Sequence, residues 1–92
     1  MPARVFTQPV ATEIDLDRRL RRGDVLIVEA RDAVRDGEII VADGESGACV
    51  GRFATGADEI VLYPLEAAGL SRRIRCEALR VRGVVIGIRS AL

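Results

Sequence analysis

Fourteen carboxylates, one tyrosine and two cysteines are the acid–base groups of this 92-residue chain, beside fourteen arginines that stay charged. Histidine and lysine are absent, so every basic side chain is an arginine. Without histidine there is no imidazole base, no Ser-His or Cys-His dyad and no imidazole metal ligand. Without lysine there is no Ser-Lys dyad, no Schiff base and no phosphate-loop lysine. Arginine does not substitute as a base, because its pKa stays above ~12. Cys49 and Cys76 lie too far apart for a CxxC motif or a zinc knuckle, and read as small buried hydrophobes. Asp15 and Asp17 form the one tight acidic alternation, but it does not continue into an EF-hand loop, since Arg19 and Leu20 stand where the loop needs a further Asp or Asn and a Gly. No cofactor or metal is expected.

The charges balance to zero. Phosphate-based nucleic-acid binding normally needs a basic excess or stripe, so direct binding of that kind is disfavoured. Arg18, Arg19, Arg21 and Arg22 are clustered, but Glu13, Asp15 and Asp17 precede them and offset them locally. The cluster reads either as an acid-paired face or as a patch that binds a partner. A second group comprises Arg72, Arg73 and Arg75, with Arg80 and Arg82 nearby. No signal peptide or transmembrane run is present, so a cytoplasmic protein with reduced thiols is expected, without membrane contact.

These side chains must be placed by a small β domain. Hydrophobic residues make up 49% of the chain and aromatics only 3% (Phe6, Phe53, Tyr63), so Val, Ile, Leu and Ala must build the core. A domain of this size buries roughly 60–65% of its unfolded surface, so its stability is marginal unless it dimerises. Residues 1–13 read as an N-terminal arm, which Pro2 and Pro9 keep from being helical, ahead of a domain at 14–92. Residues 14–22 are ambiguous between strand and helix. From Gly23 the pattern is β. Val25 to Val28 is one strand and Ile39 to Ala42 another. A hairpin over residues 43–47 leads into a return strand, Ala48 to Phe53. Glu59 to Tyr63 follows and is stopped by Pro64. Residues 65–74 give a weak linker or helical-turn signal.

Residues 75–89 form the longest strand candidate, with a phase break. Leu79 and Val81 are apolar at odd positions, whereas Val84, Ile86 and Ile88 are apolar at even ones, with Val85 apolar as well. Period-two alternation requires a bulge near Gly83 or covered faces on both sides of residues 84–88. The two explanations are compatible. In the second, the core covers one face and a second subunit the other.

Taken in order, these segments resemble a known family. Gly23-Asp24-Val25-Leu26-Ile27-Val28, Arg35-Asp36-Gly37-Glu38-Ile39-Ile40-Val41-Ala42, Cys49-Val50-Gly51-Arg52-Phe53, Glu59-Ile60-Val61-Leu62-Tyr63-Pro64 and Val81 through Arg89 resemble the core of the LexA/UmuD-type S24 peptidase domain. The resemblance covers about 70 of the 92 residues, with the family's loop sizes. It implies an all-β, LexA/signal-peptidase-like fold of coiled, mostly antiparallel sheets.

That family's chemistry uses a serine nucleophile and a buried neutral lysine. The lysine position, between a valine and an arginine on the strand after the hairpin, is here Gly51. The serine register falls near Ile14; Thr12 is the nearest hydroxyl, and Ser46, Ser71 and Ser90 lie in other parts of the pattern. The resemblance therefore implies the scaffold without its proteolysis. It also implies dimerisation through the C-terminal strand, with Val81, Gly83, Val84, Val85, Ile86, Gly87 and Ile88 at a two-fold interface. The expectation is a catalytically inactive homodimeric interaction module. It would regulate transcription, or an SOS or phage-type response, by binding a regulatory protein or polymerase component through Arg18, Arg19, Arg21, Arg22 and the arm. No helix-turn-helix is present to read DNA. Alternatives are an accessory subunit of a translesion DNA polymerase, a small β-barrel that binds nucleic acid, or a surviving enzyme using Cys49, which shares a strand face with Gly51.

Overall fold

In the computed structural model, residues 4–11, 13–16, 19–31, 33–44, 47–55, 60–65, 74–75 and 79–90 are described. They form β1 (Arg4–Pro9), β2 (Ile14–Asp15), β3 (Arg19–Leu20), β4 (Val25–Ala30), β5 (Ile39–Gly44), β6 (Gly47–Thr55), β7 (Ile60–Pro64), β8 (Ile74–Arg75) and β9 (Arg80–Arg89). No helix occurs among the described residues. Seven strands make one sheet in the order β1-β4-β9-β5-β6-β7-β8, and β2 and β3 pair separately. Every strand pairing is antiparallel. The all-β, antiparallel architecture agrees with the sequence expectation.

Turn chemistry sets the register. Gly37 has a φ of 86°, open to glycine and strained for L side chains. Its N–H donates to the Phe53 carbonyl at 2.7 Å, and Phe53 N–H returns to the Glu38 carbonyl at 2.8 Å, which starts the β5–β6 ladder. At its far end Gly44 pairs with Gly47, leaving Glu45 and Ser46 as the hairpin connection. The Arg22-Gly23 turn, with φ of 103° at Gly23, closes through Asp24 N–H on the Arg21 carbonyl at 3.0 Å. The buried Asp24 carboxylate accepts from Arg21 N–H at 2.9 Å.

Both sheet faces are covered from within the chain. One cluster holds Val10, Ile14, Leu20, Leu26, Val28, Val41 and Val50, with Phe6, Leu16, Ile39, Leu65, Val85 and Ile88 against it. The other holds Ile40, Ala42, Phe53, Leu62 and Val84, with Val34, Cys49, Leu79 and Val81. Adjacent residues of β5, Ile40 and Val41, serve opposite clusters, as a strand covered on both faces requires.

This arrangement accounts for the phase break in the last strand without a second subunit. β9 lies between β4 and β5, so both its edges are occupied. Its register against β5 slips between Val41↔Gly83 and Ala42↔Val81, and against β4 between Ile27↔Gly87 and Val28↔Val85. Arg82 and Ile86 are the extra residues. Gly83, between them, is buried, and a Cβ there would stand 2.7 Å from Val28 Cγ1 and against the Glu29 carbonyl. The bulges turn Val84 to one cluster and Val85 and Ile88 to the other.

The segment expected to be an arm carries β1, paired along its whole length with β4. Residues 14–22 are two short strands rather than a helix. The long strand begins at Arg80, and Arg75 belongs to β8. Most of 65–74 lies outside the described residues, as do Thr12, Asp17, Ser46, Ser71, Arg72, Arg73 and Cys76.

Candidate functional site

Ile14 and Gly51, the positions matched to the nucleophile and base, come to one region of the fold through the backbone. Asp15 N–H donates to the Leu65 carbonyl at 3.0 Å, and Leu65 N–H donates to the Val50 carbonyl at 3.0 Å. Ile14 is 3% exposed and packs in the same cluster as Val50. Gly51 faces the other way. A Cβ on it would lie 2.6 Å from the Tyr63 carbonyl oxygen and 2.7 and 2.8 Å from Leu62 Cγ and Cδ1, and Leu62 belongs to the second cluster. The two positions are thus neighbours along the backbone but serve different apolar clusters. Any side chain at Gly51 would meet the Tyr63 backbone and a fully buried leucine. Cys49 packs half-buried against the second cluster, on the strand face expected from its spacing to Gly51.

On the surface, Leu16, Ile39, Arg52, Val85, Ile86, Gly87 and Ile88 line an open groove of about 330 Å³. Ile86, lifted out by its bulge, is 53% exposed. Arg52 is the charged group of this groove, and its Nη1 donates to the Gly37 carbonyl at 2.8 Å. Of the residues expected at an interface, Val85, Ile86, Gly87 and Ile88 line it. Val81, Gly83 and Val84 do not; Gly83 and Val84 are buried inside the sheet and Val81 packs on the second cluster.

Residues 13–86 match the family model described as Peptidase S24-like. The chain belongs to the peptidase S24-like family. It is 30% identical over 83 residues to a LexA repressor from Syntrophobacter fumaroxidans (strain DSM 10017 / MPOB), a match covering 90% of this chain. The chain spans about 40% of that relative's length. The family match begins just after β1, although β1 is bonded into the same sheet as the S24-like core.

The arginine cluster of this S24-like domain is only partly available. Arg19 pairs with Asp15 at 3.5 Å and Glu13 at 3.9 Å, all three side chains being exposed. Arg21 and Arg22 are exposed beside the Gly23 turn, and Arg18 lies outside the described residues. A tighter ionic group is Arg31: its Nε reaches Glu29 at 2.7 Å, its Nη2 reaches Glu38 at 2.6 Å, and its Nη1 donates to the Ala33 carbonyl at 2.7 Å. The hydrogen bond from Arg31, with Arg35 N–H beside it, holds the Glu38 carboxyl below the usual glutamate range. This clasp ties the end of β4 to the start of β5, and none of its side chains lines the groove at Ile86.

Among the described residues no three His, Cys, Asp or Glu side chains gather to hold a metal ion, and no helix is long and apolar enough to cross a membrane. Sequence reasoning missed Leu16, Ile39 and Arg52 as groove residues. Their spacing carried no signal, because β9 reaches β5 only through the fold.

Proposed function

We propose that this S24-like domain acts as a catalytically silent interaction module that binds a regulatory partner protein and self-associates. The observation that carries the reading is Gly51 at the base position, with Leu62 and the Tyr63 carbonyl packed where a side chain would begin. The absence of any lysine and the burial of aliphatic Ile14 at the nucleophile register point the same way. A neutral buried lysine needs a cavity that admits its stem and a serine in reach of its amine; here the Tyr63 carbonyl and Leu62 fill the first place and the Ile14 side chain the second. What is left for function is surface, and the groove around Ile86, of mixed polar and apolar character with Arg52 beside aliphatic side chains, is suited to a segment of a partner protein. The LexA repressor relative supports a role in gene regulation.

The test is hydrolysis and capture in parallel. Incubation with peptides carrying an Ala-Gly bond should give no cleavage, and the Ile14→Ser/Gly51→Lys double variant should be equally inert. Turnover by the unmodified protein would sink the reading. A photo-crosslinker placed at Ile86 should capture a discrete regulatory protein in cells, and one placed at exposed Arg22 should not if the groove is the docking site.

A further inference from the structure

Tyr63 and Ile86 are two large apolar side chains that the fold leaves in solvent, 46% and 53% exposed. They flank one stretch of the sheet. The pairs Ile39↔Arg52 and Arg52↔Tyr63 set those three residues in one cross-strand row, and directly opposed residues of an antiparallel sheet point to the same side. Ile39 carries the row to the groove, which it lines together with Arg52, Val85 and Ile86. Tyr63 thus stands on one flank of Arg52 and the groove on the other.

The Arg52 guanidinium between them is held but not neutralised. Its Nη1 donates to the Gly37 carbonyl at 2.8 Å, which draws the head to the start of β5. No carboxylate among the described residues pairs with it, whereas Arg19, Arg31 and Arg82 each reach one. The acids next to the groove in sequence, Asp15 and Glu38, are already taken by Arg19 and Arg31. Arginine carries five N–H donors in a planar fork, so a fixed head with one donor in use still offers a carboxylate a two-pronged contact.

We propose that this face binds an extended segment of a partner protein in which an acidic residue alternates with two apolar ones. The inference rests on the reading of the groove as the docking surface and supplies the chemistry of what docks. Spacing sets the pattern. β7, β6, β5 and β9 are successive neighbours, so Tyr63 and Ile86 stand three strand separations apart, about 14 Å. An extended chain rises about 3.3 Å per residue, so its residues i and i+4 lie about 13 Å apart with i+2 between them. Residues i and i+4 cover Ile86 and Tyr63, and the carboxylate at i+2 meets Arg52. Tyrosine and arginine are also the side chains that most often dominate protein–protein binding energy. A phosphate backbone needs several cations, and this groove has one on a chain of zero net charge.

The experiment titrates the full chain by NMR with a peptide whose centre is Leu-Ser-Glu-Ser-Leu. The amides of Arg52, Tyr63 and Ile86 should shift together. Peptides with Gln or Arg in place of the Glu should bind about tenfold or more weakly, as should the Glu peptide to Arg52→Gln, the worth of a charge-assisted hydrogen bond. Tyr63→Ala and Ile86→Ala should each weaken binding, and Arg22→Gln should leave it unchanged. Arg52→Glu should reverse the preference and take the Arg peptide over the Glu peptide, a swap that a merely structural role for Arg52 would not give. No binding of the Glu peptide at millimolar concentration, or binding indifferent to the central charge or to Arg52, would overturn the proposal. So would a single-stranded oligonucleotide that binds these residues in preference to the peptide, or a second copy that covers them when the protein alone is concentrated. In each of those cases a partner crosslinked from Ile86, without peptide turnover, would leave the silent-module reading standing, so the two fail separately.

Discussion

Gly51 is held by its neighbours. Only 2.6 Å separates a Cβ at this position from the Tyr63 carbonyl oxygen, a contact that moving a side chain cannot relieve, while the approach to Leu62 can be relieved by removing that side chain. Gly51→Ala should therefore destabilise the domain by about 1–3 kcal/mol through overpacking, and Leu62→Ala by about 2–5 kcal/mol through the cavity it leaves. Combined, they should cost less than the sum, because the alanine methyl then meets one obstacle instead of two. Urea midpoints of the four proteins close this cycle; strict additivity would mean that Leu62 does not press on Gly51. The lack of a base at this position could be read from the residue types. The packing that fills its place could not, because Leu62 is one of many aliphatics until β7 is laid beside β6.

Strands and turns were the most legible level. Gly37, the 43–47 hairpin and Pro64 each carry a local rule that the fold obeys. Pro64 lies beyond the last β7–β8 pair, Leu62↔Ile74, so its missing donor costs the ladder nothing. The phase change in residues 81–88 was visible as a departure from period two, but sequence offered two explanations. The fold resolves it by bulges at Arg82 and Ile86 and by clusters on both faces. Strand order was not legible, since nothing local places β9 between β4 and β5. At the β4–β5 connection, the Arg31–Glu38 clasp makes a titration prediction. Glu38 is held below its ordinary 4.5 by the Arg31 hydrogen bond, so its contribution is full above that value and fades as the pH falls through the depressed folded value. Glu38→Gln should therefore lower the melting temperature at neutral pH and flatten its decline on acidification. An unchanged acid limb would place the acid sensitivity elsewhere.

At the scale of the whole molecule, a 92-residue β domain with few aromatics has little apolar surface to spare. The proposed self-association would link its stability to concentration, because a partner that binds only the folded state stabilises it by mass action. If the domain self-associates as proposed, its melting temperature should rise with protein concentration; a value independent of concentration in calorimetry would argue against self-association.

The last long strand to leave the ribosome is the one that fills the middle of the sheet. Until Arg80–Arg89 has emerged, β4 and β5 each present an open edge to solvent or to one another, and neither apolar cluster can close, since Val84, Val85 and Ile88 are missing. Nascent chains should keep this domain protease-sensitive until that strand has emerged and then become resistant in a single step. A stop codon only slightly early would leave no smaller folded remnant.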